Sequence, residues 1–159
     1  MKLPTADAVV VGGGIIGSAA AYYLAKAGFS VALVERKGIA SGTSSACADG
    51  LLLQTKAPGA KLAMARASIR IYQQLGEELG CDLEFRNEGG MITASNETEL
   101  NYVRGLVERL RGEGIPVELL SGKAAKELQP ALCSDLLAST YCPLDCHLNP
   151  LRVSVGFVG

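Results

Sequence analysis

Three glycines and one acid carry the strongest chemical signal in this 159-residue chain. Gly12, Gly14 and Gly17 form a GxGxxG pattern within VVVGGGIIG, and Glu35 ends the next apolar run, SVALVE. Glycine at 12 permits a tight turn out of a strand. Glycine at 14 lets backbone approach a diphosphate, and glycine at 17 lets a helix pack closely on a sheet. The N–H groups and positive dipole end of a helix starting at Ile15 and Ile16 would face that diphosphate. Glu35 can accept hydrogen bonds from ribose hydroxyls, and an acid there argues against a 2′-phosphate and hence against NADP. The pattern predicts a dinucleotide site. Alone it leaves FAD and NAD open, beside a glycine-rich turn that binds nothing.

The other reactive side chains give weaker signals. The five cysteines are Cys47, Cys81, Cys133, Cys142 and Cys146, an odd number without the rhythm of a disulfide scaffold, which suits a reducing compartment. Cys142, Cys146 and His147 have ligand chemistry, but Pro143 and Asp145 read as a turn and a fourth ligand is unassigned. Zinc sites usually show paired CxxC spacing, so ordinary half-buried thiols and no metal are expected. His147, the only histidine, is read as structural or exposed. Gln54 and Lys56 could border a pocket, although a solvated loop is the favoured setting. Arg86 and Glu88 read as surface charges, and no catalytic acid or base is assigned.

The elements that must position the glycines follow from periodicity. Asp7 to Val11 reads as a strand buried on both faces of a parallel sheet. Ile15 to Ala27 reads as a helix stopped by Gly28, and Ser30 to Glu35 as a second buried strand. Together they form a βαβ unit of about 30 residues. Lys37 to Gly50 is rich in small residues and reads as a loop, with an extended piece over Gly50 to Gln54. Leu62, Ala65, Ile69, Tyr72, Leu75 and Leu79 recur at helical spacing up to Gly80 and are taken as core. Short strands are expected over Leu83–Arg86 and Met91–Ser95. Asn96 and Glu99 then make a capping box for a helix. Val117–Leu120 and Leu137–Cys142 read as strands around a short helix from Ser121 to Leu128, and Asn149-Pro150 starts a last helix.

Composition sets outer limits. Hydrophobic residues make up 48% and charged residues 19%, the balance of a soluble globular chain, and a net charge of −1 gives no basic surface for nucleic acid. Lys2 precedes an apolar stretch, but Pro4, Asp7 and the glycines interrupt it, so a signal peptide is not expected. No run reaches the ~18 apolar residues of a membrane span. A cytoplasmic location follows, with peripheral membrane contact and homo- or hetero-oligomerisation left open. Two parallel strands are too few for a doubly wound sheet. The expected fold is α/β and incomplete, the N-terminal part of something larger.

Beyond the motif, ERKGIASGTSSACADGLL, residues 35–52, together with DAVVVGGGIIG, resembles the FAD-dependent D-amino acid oxidase superfamily, which includes glycine oxidase, sarcosine oxidase and proline dehydrogenases. EFRNEGGMITASNETEL and LQPALCSDLLASTYCPLDCHLNPLRV extend the resemblance along the chain. It implies a Rossmann-like FAD-binding part over 1–80, part of an α+β substrate domain over 81–148, and a return to the first domain over 149–159. It further implies cofactor contacts from Gly12, Gly14, Ile15, Ile16, Gly17, Glu35 and Arg36, then from Ser41, Gly42, Thr43, Ser44, Ser45, Gly50 and Leu51. Asp145-Cys146-His147 departs from the family's frequent Asp-Gly. No His or Cys matches the attachment position of covalently flavinylated relatives, Cys47 being the nearest thiol, so noncovalent FAD is implied. The implied reaction is oxidation of the C–N bond of an amino acid or secondary amine by hydride transfer to flavin, with the electron acceptor unassigned. Other readings are a noncatalytic or partner-dependent FAD-binding fragment, another Rossmann flavoprotein, and an NAD-dependent dehydrogenase.

Overall fold

Apolar β-branched runs beside an alanine-rich run build the first element pair. In a computed structural model that describes residues 5–159, β1 (Ala8–Val11) and β2 (Val31–Val34) are parallel, in register from Ala8↔Val31 to Val11↔Val34. Helix α1 (Ile15–Lys26) connects them, and Gly28 beyond its end takes φ +94, a left-handed value that suits glycine. The expectation for Lys2 and Pro4 lies outside the described residues.

The chain divides into two units, each with its own packing. The first takes the chain up to Asp49, Tyr72–Phe85 and Leu148–Gly159. Here β1 and β2 form a two-stranded sheet, and Lys26 of α1 pairs with Glu78 at 2.6 Å. The Tyr22 ring lies 5.4 Å from the Phe157 ring just after α6 (Pro150–Gly156). Asn149 caps α6 through Oδ1, which accepts from Leu151 N–H at 3.1 Å and Arg152 N–H at 3.2 Å. One expectation fails here. Neither strand is buried on both faces: Val9 is 62% and Val11 84% exposed in β1, and Val34 is 51% exposed in β2. Only one face of this two-stranded sheet has a helix to cover it, so burial along β1 alternates.

The second unit is Gly50–Ile71 with Arg86–His147. Its antiparallel sheet has the order β4 (Gly90–Ala94), β6 (Ala138–Cys142), β5 (Glu118–Ser121). Helix α4 (Glu97–Gly112) starts where Asn96 Oδ1 accepts from Glu99 N–H at 3.0 Å and Glu99 Oε2 accepts from Ser95 N–H at 2.7 Å. It buries Val103, Leu106, Val107 and Leu110, each contributing roughly 1.5–3 kcal/mol through apolar area removed from water. Helix α5 (Gly122–Leu128) is capped by Ser121. A second, two-stranded sheet pairs β3 (Gly50–Leu51) with β7 (Cys146–His147). Helix α3 (Ala60–Leu79) contributes residues to both units and buries Leu62, Ile69 and Leu75.

Two further expectations are corrected. Leu83–Arg86 makes no strand beyond an isolated bridge from Arg86 to His147, because Glu84 at φ +55 breaks the extended backbone. The small-residue loop contains a short helix, α2 (Thr43–Ala46), opened by Gly42. No helix among the described residues is long and apolar enough to cross a membrane.

Candidate cofactor site

The glycine loop is fixed to the end of β2 before any ligand is considered. Gly12 N–H donates to the Val34 carbonyl at 2.8 Å, and Gly12 holds φ +107, a backbone conformation other residues resist. A Cβ on Gly17 would fall onto the carbonyl oxygen of Gly12 and lie 3.4 Å from Val10 Cγ1. The third glycine therefore acts by close approach of α1 to the strand, as its spacing predicts.

Gly14 is the N-cap of α1 and has no side chain to close the helix end. The first amides of any α-helix lack an i−4 acceptor, so Ile15, Ile16 and Gly17 present N–H groups at the positive end of the dipole. Ser44 stands there: its Oγ accepts from Ile15 N–H at 2.9 Å, and a Cβ on Gly14 would come within 3.1 Å of that oxygen. Ile16 is 81% exposed at the same turn.

Glu35 is tied to the loop itself. Its Oε2 accepts from Gly13 N–H at 2.8 Å and its Oε1 from Lys37 N–H at 2.9 Å. These two amides, Gly13 first, hold the carboxyl below its ordinary range. Gly13, the variable position of GxGxxG, was missed at the sequence level. It is buried, its carbonyl accepts from Ala40 N–H at 2.8 Å, and a Cβ on it would lie 2.7 Å from Ile39 Cδ1. The signal available was the unbroken GGG, which no helix or strand preference explains.

The predicted residues thus fall into groups. Gly12, Gly14, Ile15, Ile16, Gly17, Glu35 and Ser44 gather around the α1 N-terminus in the first unit. Arg36, Ser41, Gly42, Thr43 and Ser45 are exposed in the same unit, with the Ser45 hydroxyl turned onto Gly42 O at 3.1 Å. Gly50 and Leu51 belong to the second unit as β3. Around the helix end, backbone N–H groups, a hydroxyl and a space that a Cβ would fill make a donor set suited to a diphosphate.

The DAO family, FAD dependent oxidoreductase, matches residues 7–159. The chain belongs to this family. FAD is the family's cofactor, and the α/β architecture is the family's fold. The chain is 32% identical over 152 residues to the mitochondrial pyruvate dehydrogenase phosphatase regulatory subunit of Mus musculus, covering 94% of this chain and 17% of that protein. It is 34% identical over 149 residues to human mitochondrial sarcosine dehydrogenase, covering 92% and 16%. The crystal structure of glycine oxidase from Geobacillus kaustophilus superposes with a TM-score of 0.91 at 30% identity, covering 96% of this chain and 43% of that one. The chain therefore spans less than half the length of each of these three relatives.

Several side chains sit elsewhere than expected. Gln54 is not on a solvated loop. It is 1% exposed, with Nε2 donating to Asp145 Oδ2 at 2.8 Å and to Gly90 O at 2.9 Å, and Oε1 accepting from the Thr140 hydroxyl. Lys56 and His147 are half-buried, while Arg86 and Glu88 are exposed, as expected of surface charges. Cys142 and Cys146 are fully buried rather than half-buried. Burial, followed by the neighbouring Asp145 charge, pushes both thiols up to about 11. Asp145 itself was overlooked because a turn motif conceals whether its carboxyl faces inward.

Proposed function

We propose that this chain carries the cofactor-binding part of an FAD-dependent oxidoreductase that oxidises the C–N bond of an amino acid or secondary amine. The observation that carries the reading is the open N-terminus of α1, where Gly14 leaves room for a diphosphate and Ser44 supplies a hydroxyl beside the first amide. In this reading the amides of Ile16 and Gly17 bind the diphosphate, and Ser44 orients it. Glu35 keeps a lone pair on each oxygen for the ribose hydroxyls while fixing the loop through Gly13. FAD, when bound, supplies the ring that accepts the hydride. The protein's part is to hold, orient and desolvate.

The substrate class is supported by what the relatives are called, sarcosine dehydrogenase and glycine oxidase. A second reading, a noncatalytic FAD-binding subunit that works through a partner, is supported by the likeness to a phosphatase regulatory subunit. The test is a screen of the FAD-loaded natural protein with glycine, sarcosine, proline and D-amino acids and an artificial electron acceptor. Turnover of one of them supports the enzyme. Bound FAD with no reduction by any amine favours the regulatory reading.

A further inference from the structure

Ala40 stands in the loop between β2 and α2, buried and at φ +60. That left-handed value suits glycine and is resisted by a side chain, so the surrounding structure must hold an alanine there. The conformation serves one backbone bond: Ala40 N–H donates to the carbonyl of Gly13 at 2.8 Å. A second donor reaches the same oxygen. Ser18, fully buried on α1, donates its hydroxyl to Gly13 O at a longer 3.4 Å. Both lone pairs of that carbonyl are thereby used.

The peptide these bonds hold is the one between Gly13 and Gly14. No side chain flanks it, so local sterics leave its orientation open. Its orientation matters, because a trans peptide sets its C=O and N–H in opposite directions. With Gly13 O turned to Ala40 and Ser18, Gly14 N–H points the other way. It is the first of four amides, Gly14 to Gly17, that the start of α1 leaves without an i−4 acceptor. Ser44 takes Ile15 N–H, whereas among the described residues nothing takes Gly14 N–H. A flipped peptide would set the partial negative charge of a carbonyl oxygen where that donor stands, and an anion would be repelled.

We infer that Ala40, through its N–H, is a positioning residue of the diphosphate site. It locks the Gly13–Gly14 peptide with Gly14 N–H turned to the ligand, a third donor beside Ile16 and Gly17. The inference rests on the proposed reading that the α1 N-terminus binds the diphosphate of FAD, and every residue in it belongs to the first unit.

The test uses the natural protein titrated with FAD. Flavin fluorescence reads affinity, phosphorus NMR reads the bound diphosphate, and thermal melts read the fold. Replacing Ala40 by lactate, through nonsense suppression, exchanges its N–H for an ester oxygen and keeps the methyl group. FAD affinity is expected to fall about tenfold, the loss of one hydrogen bond to a charged group, and the bound phosphorus resonances to shift. Ala40→Gly keeps the N–H and suits φ +60, so affinity and resonances should match wild type. Ser18→Ala removes the longer bond and should move both readouts in the same direction by less. Ser154→Ala removes another buried hydroxyl of this unit, bonded to Pro150 O at 3.0 Å, and should lower the melt alone. If the lactate variant does not fold, Ser18→Ala decides. Unchanged affinity and resonances in the deciding variant, or a loss in Ala40→Gly as large as in the lactate variant, would overturn the positioning role. Wild-type protein that binds no FAD would instead overturn the functional reading beneath it.

Discussion

The Glu35 carboxylate accepts the backbone N–H of Gly13 at 2.8 Å, so the acid at the end of β2 closes the same loop that its spacing assigns to a ribose. Both jobs need an acceptor on each oxygen. Glu35→Gln replaces one acceptor with a donor and must break with either Gly13 or Lys37. FAD affinity should fall at least about tenfold while the melting temperature stays near wild type, because the site is close to solvent. Fluorescence titration beside a thermal melt checks this, and unchanged affinity would remove Glu35 from the site.

Gly17 and Gly38 separate close approach from general glycine effects. Gly17→Ala drives a Cβ onto the Gly12 carbonyl, whereas a Cβ on Gly38 meets nothing within 4 Å. Gly17→Ala should destabilise by roughly 1–3 kcal/mol, as overpacking does, and Gly38→Ala should lie within about 0.5 kcal/mol of wild type. Denaturant unfolding of both variants measures the contrast.

Ser44 and Ser45 are adjacent hydroxyls with different partners, Ile15 N–H and the Gly42 carbonyl. Ser44→Ala should cost about 0.5–2 kcal/mol, the range for losing a helix N-terminal cap, and should weaken FAD binding. Ser45→Ala should do less of both. Equal losses for the two variants would contradict the assignment of Ser44 to the α1 N-terminus.

Thiol chemistry should sort by burial and charge. Cys47 is exposed and should react first with a disulfide reagent at pH 8. Cys133 is also exposed but slower, since Asp135 hydrogen-bonds its thiol and holds it above its ordinary range. Cys142 and Cys146, pushed up to about 11, should be protected until unfolding. Their protonated state is favoured by the fold, so this contribution is complete below the ordinary thiol pKa. It is lost as pH rises through about 11. Timed labelling with peptide mapping, and an alkaline melt series, check the order and the sign.

Local patterns made the βαβ unit, the Asn96 capping box and the Asn149-Pro150 helix start readable from sequence, since each rests on contacts within a few residues. What could not be read came from distant partners. Gln54 follows a small-residue loop and looks solvated, yet Thr140 and Asp145 reach it from 86 and 91 residues away. Val9 and Val11 look like doubly buried strand residues, yet a two-stranded sheet covers only one of their faces. Gly13 looks like a spacer, and only the three-dimensional approach of Ile39 and Glu35 gives it a role.

The central claim is that the open N-terminus of α1 at Gly14 holds the diphosphate of FAD. Its most direct test is the visible absorption spectrum of the purified natural protein beside Gly14→Val, with circular dichroism confirming the fold of each. Flavin bands in the wild type and their loss in a folded Gly14→Val are the predicted result. A folded wild type that stays colourless when supplied with FAD, or a Gly14→Val variant that keeps the full flavin spectrum, would contradict it.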